Sequence, residues 1–213
     1  MIVDGPVTAY AARVGQSVTT SRPARMPRTE RREHLLDVAA GLILDKGIEA
    51  VTMEGVAAAA GVSKGLGYAY FDNSSALLRA LLEREVRKLN ERIVAASAGE
   101  TTLEGRLRAT VHAWFDHIEE YGVLMGRLLE ATRNDGPHVE ARNAYNRSNE
   151  RWWAQHAERE LGVPNGKGQI ATAIILAGLQ GVVQRWTQCG DSRAELEEVF
   201  MRVAMGGLQN LVD

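Results

Sequence analysis

At 213 residues, 45% hydrophobic and 24% charged, the chain has a soluble globular composition and room for one large core or two modest ones. Its formal net charge of −2 excludes a protein that is basic overall, so any positive field for a polyanion must be local. The single cysteine, Cys189, excludes an internal disulfide framework, fits a reducing compartment and reads as a small buried apolar residue.

The first stretch, residues 1–27, carries Pro6, Pro23 and Pro27 without helical periodicity and is expected to be a disordered arm. Asp4 stands against Arg13, Arg22 and Arg25, with Arg28 next, so its inner end is basic. The beginning lacks a basic segment followed by an apolar one, so no secretory signal is expected.

Thr29 to Lys46 reads as the first helix, with Leu35, Ala39, Leu42 and Ile43 on one face and Gly47 as its stop. Met53, Val56, Ala57 and Ala60 then recur at helical spacing. Ala60-Gly61-Val62-Ser63 reads as a tight turn, in which Gly61 takes a positive φ and Ser63 caps the next helix. Lys64 to Phe71 follows as about two turns, until Asp72-Asn73-Ser74 breaks and recaps the chain. Two short helices joined by a Gly-containing turn match a helix-turn-helix, whose second helix enters the major groove. A plain helical hairpin fits the same spacing. No carboxylate lies between Glu54 and Asp72 to repel phosphate.

Asn73 or Ser74 opens a long fourth helix to about Ala98, with Leu77, Leu78, Leu81, Val86, Leu89 and Ile93 facing inward. A capping box, Thr101-x-x-Glu104, starts a fifth helix carrying Leu103, Leu107, Val111, Trp114 and Ile118. Val123 to Arg133 is a short sixth, and Asn134-Asp135-Gly136-Pro137 a turn into a polar seventh that ends near Leu161. Lys167 to Cys189 and Ala194 to Leu211 form the last two helices, the latter capped by Ser192-x-x-Glu195. Leu196, Val199, Phe200, Val203, Gly207, Leu208 and Leu211 make its apolar stripe. The longest uncharged run, Gly168 to Gln184, holds three glutamines and is short for a membrane span. It reads as a buried helix of a cytoplasmic protein that does not enter the membrane. With no strand signal, the fold is expected to be all-α, with about nine helices.

The residue types of a catalytic centre do not assemble. His112 and His117 lie about 140° apart around a helix, so they cannot share a metal as an i, i+4 pair would. The sequence has no HExxH, no paired cysteines, no G-x-S-x-G and no phosphate-binding glycine loop. No enzyme, cofactor or metal is expected.

The segment Thr29 to Leu78 resembles the N-terminal three-helix domain of the TetR family of bacterial transcriptional regulators. The matching residues are Ala39, Gly47, Thr52, Val56, Ala57, Ala60-Gly61-Val62-Ser63-Lys64-Gly65, Tyr68, Tyr70-Phe71 and Ala76-Leu77-Leu78. The resemblance implies a DNA-binding domain over 28–74 and a larger helical ligand-binding and dimerisation domain over 75–213. It implies a homodimer through the helices near 167–189 and 194–211, with Gly178 and Gly181 allowing close approach. Such a dimer would repress from a near-palindromic double-stranded operator and be released by a small-molecule effector. The alternative is a TetR-like protein-interaction module without operator binding. Two departures bear on that choice: Ser74 stands where the family often has Lys, and Gly67 where it often has Leu, removing a core anchor.

Carried onto this chain, the DNA-binding positions are Thr52, Ser63, Lys64, Gly65, Leu66, Tyr68, Ala69, Tyr70 and Ser74. At 100° per residue Gly67 and Phe71 face the core, and Gly65, Leu66 and Ala69 face outward. Tyr68 and Tyr70 fall on the two flanks, suited to phosphates, and Lys64 is the base-reading donor, most naturally to guanine. For the effector, Trp114, Tyr145 and Trp152 supply apolar area while Asn149, Gln180 and Gln184 orient a polar group, a mixture suited to an amphipathic organic molecule.

Overall fold

A computed structural model describes residues 26–121, 124–132 and 136–212. Most of the expected arm and the Asn134-Asp135 part of the expected turn lie outside these residues. The fold is all-α: among the described residues there are nine α-helices, one 3-10 turn and no strand. The helices are α1 (Arg28–Lys46), α2 (Met53–Ala59), α3 (Lys64–Tyr68), α4 (Ser74–Ser97) and α5 (Leu103–Tyr121), then α6 (Leu124–Ala131), α7 (Gly136–Leu161), α8 (Asn165–Cys189) and α9 (Arg193–Gln209).

Most boundaries follow local chemistry. Gly47, at φ 89°, ends α1 and donates its N–H to the Ile43 carbonyl at 3.0 Å. The Thr52, Ser63 and Asn73 side chains accept from the N–H groups of Gly55, Leu66 and Ala76, at 2.9, 3.3 and 2.8 Å. Each satisfies one of the orphan donors at a helix start. Two expected caps differ. The side chain that caps α5 is Thr102, accepting from Gly105 N–H at 3.0 Å, and not Thr101. Thr101 instead offers its carbonyl to Arg106 at 3.0 Å, and the Leu103 N–H is taken by Glu160 from α7. Ser192 sits at the N-cap of α9, but its side chain makes no capping hydrogen bond.

The described residues form two compact units, one within 26–88 and 117–132, the other within 89–116 and 136–212. In the first, Leu35, Leu36, Ile43, Leu77, Leu81 and Leu82 meet Leu124 and Leu128 of α6, all essentially inaccessible to solvent. Arg127 of α6 donates to the carbonyls of Ile43 and Leu44, closing the C-terminal end of α1. A buried guanidinium, Arg84 on α4, binds Asp37 at 2.8 Å and Glu33 at 3.3 Å on α1, and Glu85 at 2.9 Å beside it.

In the second unit α8 packs on α7 and on α9. Phe115 stands 5.1 Å from the Trp186 ring, within a core that includes Leu107, Val111, Leu179 and Phe200. A second cluster gathers Leu103, Ala157, Val163 and Leu208. The expectation of a buried α8 is corrected here. Residues 165–186 are long and apolar enough to cross a membrane by length and composition, yet only 17% of that window is buried. Its neighbours α7 and α9 cover it only in part, leaving Ile170 and Ile174 about two-thirds exposed. Cys189 is exposed too, because it ends α8 where Gly190 turns the chain with φ 73°.

Candidate nucleic-acid interface

The turn between α2 and α3 has the geometry its residues call for. Gly61 takes φ 66°, and the Val62 N–H returns to the Ala57 carbonyl at 2.9 Å. Ser63 then starts α3 in extended conformation. The helix spans five residues rather than about two turns, because the chain tightens after Tyr68. The N–H groups of Tyr70 and Phe71 both reach the Gly67 carbonyl, at 3.1 and 3.2 Å.

Gly67 and Phe71 face inward, as the helical phase requires, and Phe71 joins the first core. The absence of a side chain at Gly67 leaves no hole. A Cβ there would meet Met53 Cε at 3.5 Å and Ala57 Cβ at 3.8 Å, so Met53 of α2 fills the anchor's place. The expected missing anchor is therefore supplied from the neighbouring helix.

Lys64, Gly65, Tyr68 and Ala69 are exposed and Leu66 is half-buried. Thr52 and Ser63 are exposed at the helix starts, and Ser74 is half-buried in the first turn of α4, where Asn73 does the capping. The tyrosines lie in different surroundings. Tyr68 is exposed with the Lys64 ammonium 5.8 Å from its ring centre. Tyr70 is half-buried on the core, with the Arg28 guanidinium 5.5 Å from its ring, while Arg32 lies 5.4 Å from Phe71. These contacts set two guanidiniums from the start of α1 over the aromatic rings that follow α3, a cation–π arrangement that sequence spacing did not reveal.

Sequence reasoning also missed the partner of Lys64. Its ammonium is in contact with the Glu54 carboxylate. The hydrogen bond from Lys64 holds the Glu54 carboxyl below its ordinary pKa, and the same bond raises that of Lys64. Ten positions separate the two residues, outside any helical spacing rule, so only the closed turn brings them together.

The effector candidates are not gathered at one recess. Trp114 is half-buried against the core of the second unit. Trp152 is exposed, edge-on to Trp153 at 4.9 Å. Asn149 is half-buried, while Gln180 and Gln184 are exposed. The side chain of Tyr145 lies outside the described residues. None of the other five lines either the apolar groove between α8 and α9 or the polar recess at Arg92, Thr102 and Arg108.

Residues 35–81 match the family described as bacterial regulatory proteins, tetR family. This stretch of the chain is a TetR-family regulatory domain. Over 98 residues it is 41% identical to the HTH-type transcriptional activator FasR of Mycolicibacterium smegmatis, covering 46% of this chain and 45% of FasR. It is 38% identical over 85 residues to the regulator BetI of Rhizobium meliloti, covering 40% of this chain and 42% of BetI. The matched stretch thus spans less than half of either curated relative. The TetR fold continues beyond it. The structure of the fatty acid degradation regulator FadR from Bacillus halodurans superimposes with a TM-score of 0.69 at 20% identity, over 89% of this chain and 99% of FadR.

Proposed function

We propose that this TetR-family protein is a cytoplasmic repressor that binds a near-palindromic DNA operator as a homodimer and is released by a small molecule. The observation that carries the reading is the α2–α3 hairpin, which seats Gly67 and Phe71 in the core and turns Lys64, Gly65, Tyr68 and Ala69 outward. In this reading Lys64 donates to guanine, Leu66 and Ala69 touch thymine methyls, and Gly65 allows close backbone approach. Tyr68, Tyr70, Thr52, Ser63 and Ser74 bond phosphates. Residues 28–74 form the reading head and 75–213 carry the effector site and the dimer contact. The arm over residues 1–27 adds affinity with little sequence preference.

The second copy is expected on the groove between α8 and α9. Ile170, Ile174, Val199 and Val203 stand exposed there, with Gly178 and Gly207 between them and charges such as Lys167 and Glu195 at the rim. A contiguous apolar surface with a charged rim is what a homodimer interface needs. Release requires only that the effector bind better to a DNA-incompetent state, typically by about 1–3 kcal/mol.

The test is a gel shift on the DNA flanking the protein's own gene, repeated over a salt series. Sequence preference with a steep log–log salt slope supports the reading. Weak binding that ignores sequence would favour an interaction module instead. Because FasR is named an activator, a promoter fusion in cells lacking the protein gives the sign. Derepression is expected, and loss of expression would make it an activator.

A further inference from the structure

Between Thr52 and Phe71 the sequence has one cation, Lys64, and one anion, Glu54. The fold brings these two into contact, with side chains 58% and 56% exposed, so a nucleic acid reaching α3 meets both. Glu54 lies in the first turn of α2, just after the Thr52 cap. The start of α2 thus places the carboxylate that Lys64 meets across the turn.

We propose that Glu54 is a specificity-determining residue, which holds Lys64 toward base edges and away from phosphates. The inference rests on the DNA-binding reading above. A lysine ammonium has three donors, so Lys64 can keep Glu54 and still donate to guanine O6 or N7. On a phosphate the same pair sets the Glu54 carboxylate against a negatively charged group, a repulsion that a guanine edge does not impose. The pair is therefore tolerated in the base-reading complex and penalised in the backbone-only complex. Glu54 weakens non-specific binding more than specific binding, and the difference appears as discrimination.

The experiment selects a duplex from a random pool with the full-length wild type. Its affinity is then compared with that of a scrambled duplex of equal length and composition, across a salt series. For Glu54→Gln the scrambled duplex should bind tighter, shrinking the specificity ratio roughly fivefold, about the discrimination of one base pair. Its log–log salt slope should steepen by about 0.9, for one added phosphate contact. Affinity for the selected duplex should change little, and Glu54→Ala should behave alike. In a Lys64→Gln background the Glu54 change should leave the ratio where it was. Equal gains on both duplexes, or the same effect without Lys64, would mean simple charge repulsion and overturn the proposal. A wild type that selects no duplex sinks the DNA-binding reading and this inference with it. A wild type that selects one, with an unchanged ratio in the variants, sinks this inference alone.

Discussion

Gly67 illustrates what one residue does to a short helix. Glycine inside a helix is unfavourable because of the backbone freedom it gives up, and nothing at this position requires it. Its φ is not positive, and an added Cβ would make ordinary contacts with Met53 and Ala57. Gly67→Ala is therefore expected to stabilise the first unit by about 0.5–1 kcal/mol, read as a higher thermal midpoint, with base preference unchanged. A lower midpoint would mean that the Met53 side chain cannot yield. Gly61 is the opposite case, since its φ of 66° strains any residue with a Cβ. The sequence made both glycines conspicuous, but it told them apart only in part. The turn was legible from local chemistry, whereas the filling of the Gly67 site depends on Met53, fourteen positions earlier and on another helix.

At the scale of elements, two long-range contacts tie helices together at their charged groups. Arg84 and Glu85 are 3% and 1% exposed, and Arg84 also reaches Asp37 and Glu33 on α1. Removing one member of such a group strands a buried charge, so Arg84→Ala should cost about 3–5 kcal/mol in chemical denaturation. Arg84→Met combined with Glu85→Leu should recover most of that loss. The second contact is Glu160, which takes the Leu103 N–H at the start of α5 and binds Arg106. Burial acts to raise its pKa, but the Leu103 N–H, the Arg106 hydrogen bond and the nearby positive charges outweigh it, leaving the carboxyl below its ordinary 4.5. A depressed carboxyl adds stability that is complete above its unfolded pKa and is lost as pH falls through the folded one. The wild type should therefore lose stability as pH drops below about 4.5, and Glu160→Gln should flatten that part of the curve in melts across pH. Periodicity made the helices themselves legible, down to the polar α7. It could not give the Thr102 cap or the solvent-facing side of α8, because both depend on what packs alongside.

For the whole molecule the open question is what covers the α8–α9 groove. If a second copy does, a charge at its centre should prevent association without harming the fold, because the side chain replaced is already in solvent. Ile174→Asp is expected to sediment as a folded monomer and to lose most operator affinity, since two heads would no longer be presented together. A variant that stays dimeric would place the interface elsewhere. A groove finished only in pairs would also make the protein a gauge of its own abundance. While single copies predominate, the number of working molecules rises with the square of the amount made. Halving the dose of the gene would then cut operator occupancy about fourfold by mass action. In that case the exposed isoleucines and valines would set a threshold, below which the promoter is deaf to this protein and above which small changes in synthesis are heard sharply.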